Sequence, residues 1–349
     1  MKKFLIVLSM FAASLVHADY RMIVPQEPGG GTSVWATIVA KELEKKLGEK
    51  IYLEHIPGAR DIPGTNKFQN ELRFDPKTIM IAHGGNAESY LIEPVDYQYK
   101  DWESIGAMNL SIIVGHRKDF DPYKGGVKFA AGSGNNPDMM AQTLLICGPQ
   151  PSMEAYLDCY KKNLKLINGM KAGERRMAYM RGELNTARET PAAYIKFLEP
   201  MKENQLWFSH GIMNLKTGKI MKDPNFPEAG SFQEVYKHKW GVEPRGELYD
   251  AYLLVKQYRD VLQKSMWVNK GNPNAAKLRK AVNEMIADPE SQAVIEKDAG
   301  KYPWIRGDEM PRAMTELDRL TTKQALKNLV WWSSKAFGVN AYYKDSLGK

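Results

Sequence analysis

The sequence predicts an α/β protein built as two units, and three observations carry that prediction. Short apolar or alternating runs are interleaved with stretches of helical spacing, the pattern of strands and helices that form a parallel sheet. The alternation comes in two series, one opening at Arg21 and one at Val127. The chain has 349 residues, more than one ordinary domain uses and about right for two. Its 43% hydrophobic and 26% charged residues are ordinary globular composition, which excludes a disordered or collagen-like chain.

Residues 1–18 stand apart from the fold. Lys2 and Lys3 precede the apolar run Phe4–Phe11, and the segment ends Val16-His17-Ala18, where export cleavage is specified. This is the pattern of a secretory signal peptide. A membrane anchor needs ~20 apolar residues, more than this run offers, and no cysteine follows that could carry a lipid. The mature chain is expected to begin near Asp19, free in the periplasm. Loss of Lys2 and Lys3 leaves 47 basic against 41 acidic residues, a net charge of +6.

Arg21–Val24 reads as a short strand, followed by the Pro/Gly turn Gln26–Ser33. Val34, Ile38, Val39, Leu43 and Leu47 recur at helical spacing, and Gly48 stops that helix. Ile51–Ile56 alternates as a strand. Thr78–Ala82 and Ser111–Val114 are apolar runs that suit buried parallel strands. Val127–Ala131 begins the second series, which continues through a helix after Pro137, a strand near Leu164–Ile167 and a short helix ending at Gly182. Asn272-Pro273 and Asp288-Pro289 each place a capping residue before a proline at the first helical position, and Ala299-Gly300 closes the second of these helices. Asp308 opens a long final helical region containing Leu317, Leu320, Leu326 and Leu329. There is no internal repeat of solenoid period.

The basic surplus is concentrated. Residues 161–222 hold thirteen Lys and Arg, among them Lys161, Arg175, Arg176 and Arg188, against five Glu. Such a window either attracts an anionic ligand or acidic partner or is a solvated surface, and the second is the plainer reading. No recognition motif accompanies it, so no nucleic-acid partner is expected. Two cysteines exclude a disulfide-rich scaffold. In an oxidising compartment Cys147 and Cys159, twelve residues apart, are either a disulfide or a pair of buried thiols. Six scattered histidines, with no H-E-x-x-H and no C-x-x-C, give no metal site and no cofactor motif. Ser133 is no nucleophile elbow, because Ala131 stands where G-x-S-x-G needs its first glycine. No enzyme is expected. The aromatic segment 205–265, with Trp207, Trp240, Tyr249, Tyr252 and Tyr258, reads as buried core.

Four strand-to-helix junctions could seat an anion. A helix start leaves backbone N–H groups unpaired at the positive end of its dipole, and glycine lets a ligand approach them closely. The junctions are Pro28–Ser33, Gly132–Asp138, Asn185–Pro191 and, more weakly, His83–Asn86. None is a Walker A loop or a G-x-G-x-x-G fingerprint. In an open α/β sheet, ligands sit at the carboxyl ends of strands, where all four lie.

Taken in order, these residues resemble one family. Val24-Pro25 followed by Pro28-Gly29-Gly30-Gly31-Thr32 and an amphipathic helix is similar to the opening of the tripartite tricarboxylate transporter substrate-binding proteins, the Bug family. Ile56-Pro57-Gly58-Ala59 with Pro63-Gly64-Thr65 resembles its Pro-Gly-Ala … Ile-Gly-Thr stretch, and Gly132-Ser133 with Pro137 its second Gly/Ser loop. Lys171-Ala172-Gly173, Arg181–Asn185, Pro227–Gly230 and the Asn272–Gly300 helices resemble later segments. The resemblance spans most of residues 20–310. It departs at Ser33, where the family usually has Asp, at Asn135 and Asn136 in a shortened second loop, at Asn185 for an acidic residue, and in the longer 205–265 segment.

The resemblance implies a periplasmic-binding-protein-like (type II) Venus flytrap: two Rossmann-like α/β lobes joined by two crossovers, near residues 112–116 and 262–268. Lobe I would comprise residues 19–112 plus 267–349 and lobe II residues 113–266. It implies a monomeric receptor for a small organic carboxylate, served to integral membrane transporter subunits. The ligand would be held on one lobe by Gly29, Gly30, Gly31, Thr32 and Ser33. Ser133, Gly134, Asn135, Asn136, Thr186 and Thr190 would face them, with Gly84, Gly85 and Asn86 at the floor. Hydrogen bonds to a charged group contribute roughly 1.5–3 kcal/mol each. A few to each carboxylate reach the about −8 kcal/mol of a micromolar site without a buried arginine. A sensory protein feeding a receptor kinase would look the same in sequence, and an exported hydrolase using Ser133 is the remote alternative.

Overall fold

A computed structural model describes residues 19–131 and 137–343. The expected signal segment and Ser133, Gly134, Asn135 and Asn136 lie outside the described residues.

The chain opens β1 (Tyr20–Val24), α1 (Gly31–Leu47), β2 (Ile51–His55), α2 (Ile62–Asn70), β3 (Thr78–Ala82), α3 (Gly84–Ile92), β4 (Trp102–Met108). It continues β5 (Ile113–Arg117), β6 (Val127–Ala131), α4 (Pro137–Cys147), α5 (Met153–Asn163), β7 (Leu164–Asn168), α6 (Ala172–Met180), β8 (Thr186–Glu189) and the single-turn α7 (Pro191–Ala193). Then come β9 (Asn204–Ser209), the hairpin β10 (Ile212–Met213) and β11 (Ile220–Met221), α8 (Phe232–Trp240) and α9 (Glu247–Leu262). The last stretch is β12 (Lys264–Asn269), α10 (Ala275–Ala287), α11 (Pro289–Ala299), β13 (Trp304–Arg306), α12 (Met310–Leu320) and α13 (Lys323–Phe337).

Two sheet systems result. The larger sheet has the order β13-β4-β12-β3-β1-β2. The smaller system pairs β8-β5-β9 antiparallel and β6 with β7 in parallel. The chain leaves the large sheet after Met108, enters the small one at Ile113, and returns through Gln263 into β12. The large sheet is not wholly parallel. β12 runs against β3 and β4 because it returns from the small system, and β13 runs against β4 at the sheet edge. β3, whose five residues are all buried, is covered on both faces, as its unbroken apolar run predicts.

Local signals place most elements. Gly48, at φ 69°, closes α1, and Asp288 caps α11 by accepting from the Glu290 and Ser291 amides, with Pro289 in the first turn. Four expectations shift. Ser111–Val114, read as a buried parallel strand, gives instead β5 from Ile113, antiparallel to β8 and β9. Asn272 does not cap a helix at Pro273; its Oδ1 accepts from the Asn274 amide and α10 starts at Ala275. The final helical region is two helices, because Thr322 turns extended and caps α13 through the Ala325 amide. Residues 186–189 form a strand rather than a loop, paired to β5.

One apolar cluster, including Met80, Val114, Leu144 and Leu262, runs through the back of both sheet systems. α9 lies at its centre and packs against α3, α4 and α13. The aromatic segment supplies this core: Tyr252 and Tyr258 are fully buried, and Phe232, Tyr249 and Tyr252 pack ring on ring. Cys147 at the end of α4 and Cys159 in α5 are joined as a disulfide.

Candidate functional site

A cleft of about 1030 Å³ opens between the sheet systems, lined from one side by the α1 start and from the other by β8, Thr190 and the loop before α6. The turn after the C-terminal helix, Phe337–Asn340, closes one end.

The α1 start has no side-chain cap and no acidic residue in its first turn. Thr32 N–H donates to Gln26 Oε1 at 3.3 Å, while the Gly31 and Ser33 amides have no acceptor among the described residues. Partial positive charge is thus left open toward the cleft. Gly31 is required by proximity. A β-carbon there would overlap Thr190 Oγ1 from across the cleft. Thr190 is 5% exposed and its hydroxyl has no hydrogen-bond partner among the described residues.

The α3 start looks similar in sequence but is filled. Gly84 N–H donates to Gln263 Oε1 at 3.1 Å and Gly85 N–H to His83 Nδ1 at 3.0 Å. Because Nδ1 accepts, the His83 proton sits on Nε2, which faces Asp61 Oδ2 at 2.7 Å. Burial lowers the His83 pKa against the opposing pull of Asp61. Asn86 is fully buried and donates to Thr65 Oγ1 and the Asp61 carbonyl.

Behind these turns lies a charge cluster. Asp138, in the first turn of α4, is fully buried. It accepts from Arg259 Nη1 at 3.1 Å and faces His210 Nε2 at 2.9 Å and Arg188 Nε at 3.3 Å. Burial alone would raise its carboxyl pKa; Arg259, Arg188 and His210 overcome this and hold it well below the usual carboxylate range. Arg259 also pairs with Glu88 on α3 at 3.3 Å, so it bridges the two sheet systems. Arg176 pairs with Glu189 at 2.8 Å, and its Nη1 donates to the Gly29 carbonyl across the cleft. The other nitrogen of His210 faces the Tyr252 hydroxyl at 3.0 Å. Both ring nitrogens are therefore engaged inside the core, and burial lowers the His210 pKa.

The basic window of the sequence divides by residue type. Its nine lysines and Arg181 stay exposed, whereas Arg176 is buried and Arg175 and Arg188 are half-buried at the cleft. Guanidinium groups are weakly hydrated and planar, which favours them over ammonium in a semi-buried site for anions.

Of the residues expected at the ligand, Gly30, Gly31, Thr32, Gly85 and Thr190 line the cleft. Gly29 contributes its carbonyl to Arg176, and Ser33 bonds His55 Nε2 at 2.8 Å. Gly84 and Asn86 are committed to internal bonds, and Thr186 turns inward to Gln142 at 2.9 Å. Sequence reasoning did not single out Arg259, Asp138, Glu88, Gln263 or Lys264. The available signal was α9 itself: Lys256, Gln257, Arg259 and Asp260 crowd polar groups into its last two turns, and Gln263 follows at its C-terminal cap. Arg259 and Gln263 share one face at i, i+4.

No protein-family profile matches the sequence, and no curated protein is similar to it in sequence. Solved structures share the fold. The periplasmic binding protein BugD is similar with a TM-score of 0.60 at 17% identity, over 91% of this chain and 98% of that one. MatC from Rhodopseudomonas palustris, solved with bound malate, gives 0.59 at 14%, over 91% and 98%. Another R. palustris protein, solved with adipate, gives 0.64 at 11%, over 89% and 97%. The chain thus has the periplasmic-binding-protein fold, two α/β lobes around a cleft, as the sequence motifs imply.

Proposed function

We propose that this chain is a periplasmic solute receptor of the Bug type that captures a small organic carboxylate in the interlobe cleft and delivers it to a tripartite tricarboxylate-type membrane transporter. The proposed lobes are residues 19–112 with 267–349 and residues 113–266. The observation that carries the reading is the cation surplus of the inner cleft. Arg175, Arg176, Arg188 and Arg259 stand against Asp138, Glu88 and Glu189, next to the open amides of α1, and the buried Lys264 behind them adds its charge when an anion in the cleft favours its ammonium form. A dicarboxylate offsets that surplus. At the opposite edge, Asp61 is in ion-pair distance, among the described residues, of neutral His83 alone, and it suits a hydroxyl or ammonium donor on the ligand. The ligand set of MatC and of the adipate-bound protein is of the same chemical class.

The test is calorimetry and thermal shift with acetate, succinate, malate, aspartate, adipate and citrate. Dicarboxylates bind in the micromolar range, those with a hydroxyl or amine beside a carboxylate more tightly than succinate. Binding of a neutral sugar or a metal ion, with no carboxylate bound, overturns the reading.

A further inference from the structure

Lys264 opens β12 and is fully buried directly behind the α1 start. Its Nζ donates to Thr32 Oγ1 at 3.0 Å, and no carboxylate lies within ion-pair distance among the described residues. The charged and titratable groups around it are Arg259 on α9, Arg188 and Glu189 on β8, and Asp61 and His83 at the cleft floor. Thr32 lines the cleft, and no described residue accepts its hydroxyl proton.

We propose that Lys264 is a proton-linked positioning residue, which in its ammonium form fixes Thr32 Oγ1 as an acceptor and points the hydroxyl proton into the cleft toward a ligand oxyanion. An ammonium has three donors and no lone pair, so it can only donate to Thr32. The Thr32 proton is then left for the cleft, beside the open Gly31 and Ser33 amides and opposite the unpartnered Thr190 hydroxyl. A neutral amine has a lone pair. It accepts the Thr32 proton instead, and Thr32 then presents lone pairs that repel an oxyanion. Burial draws the Lys264 ammonium well below its ordinary pKa, Arg259 and Arg188 reinforce this, and Asp61 and Glu189 only partly oppose it. An anion in the cleft screens the two guanidinium groups and favours the ammonium. Capture therefore takes one proton from bulk solvent onto Nζ wherever the empty receptor holds Lys264 neutral, and by reciprocity a rise in pH weakens capture.

The inference rests on the carboxylate reading of the cleft. Its test is calorimetry of the purified protein with succinate and malate, in HEPES, TAPS and Tris, at several pH values. The binding enthalpy tracks the buffer's ionisation enthalpy with a slope that reports proton uptake and grows with pH. Affinity falls by at most about tenfold per pH unit over that range. Lys264→Met abolishes the slope; Thr32→Val lowers affinity and reduces the slope to the part that comes from screening of Arg259 and Arg188, and Thr32→Ser restores both. Should Lys264→Met fail to fold, the Thr32 pair decides. Binding with no proton uptake at any pH, or with a slope and affinity unchanged in Thr32→Val, overturns the proposal while leaving the carboxylate reading intact. Absence of any heat or thermal shift overturns that reading and the proposal with it.

Discussion

The starts of α1 and α3 carry the same signature, a strand, a glycine-rich turn and a helix, yet they end in opposite states. At α1 two first-turn amides have no acceptor among the described residues, and the neighbouring groups are cations and hydroxyls. At α3, Gln263 and His83 fill the amides of both glycines. A glycine-rich turn therefore supplies an anion seat only where no side chain of the same protein already occupies it. Whether one does depends on residues distant in sequence. Gln263 lies 179 positions from Gly84.

The largest expected effect comes from the carboxylate that holds the cluster behind both turns. Asp138→Asn leaves Arg259 and Arg188 short of a buried counter-charge, and breaking such a pair costs about 3–5 kcal/mol of stability. Its pH dependence is distinctive. His83 and His210 are kept neutral in the fold but protonate in the unfolded chain, so stability falls as pH drops below about 6.5. Asp138 has a depressed folded pKa, so its contribution is present above about pH 4 and is lost on further acidification. Denaturant melts against pH show both steps in the wild type and a smaller acid step in Asp138→Asn, where Glu49, Asp75 and Glu103 still have depressed folded pKa values.

Gly31→Val attacks the open turn. The new side chain overlaps Thr190 and blocks the amides, removing at least one charge-assisted hydrogen bond to the ligand. Affinity falls by about two orders of magnitude, equivalent to about 2.7 kcal/mol, with a smaller loss in melting temperature. Gln263→Met inverts the profile. It leaves the Gly84 amide and the Arg259 Nε without their acceptor in a buried site, for about 1–3 kcal/mol of stability, while affinity falls less than in Gly31→Val. If the two variants gave the same profile, the distinction between an open and a filled helix start would be wrong.

The fold was legible because it is written in local patterns. The apolar run of β3, the spacing and terminal glycine of α1 and the Asp288-Pro289 cap are decided by neighbours in sequence. The break at Thr322 was hidden because leucines on either side of it keep helical spacing, while one hydroxyl, bonding the Ala325 amide, interrupts the backbone. The site was half legible. The α1 turn announced itself, but Thr186, beside a proline-capped turn, went into a strand and bonded Gln142. Arg175, Arg176 and Arg188 were visible only as a charge window. Composition does not say that Arg188 turns inward to Asp138 while Lys196 and Lys202 remain in water. That outcome depends on a buried carboxylate contributed by another helix.

The smallest effect belongs to the cleft mouth, where the two lobes meet through two contacts of unlike kind. Lys171 reaches Glu27 at 2.7 Å, with side chains 60% and 35% exposed, and Arg176 reaches the Gly29 carbonyl from a buried position. Water and salt screen the first pair, and both long side chains must be ordered to form it, so its gain is small. The second is held in place by the Arg176–Glu189 ion pair and loses nothing to salt. Lys171→Gln should therefore change carboxylate affinity by less than about twofold at low ionic strength and not at all near 1 M salt, where the Debye length is ~3 Å. Arg176→Gln should weaken binding equally at both. Calorimetry at the two salt concentrations separates them. A strong, salt-sensitive loss in Lys171→Gln would mean that the exposed pair, rather than the buried contacts around α1, holds the lobes together over the ligand.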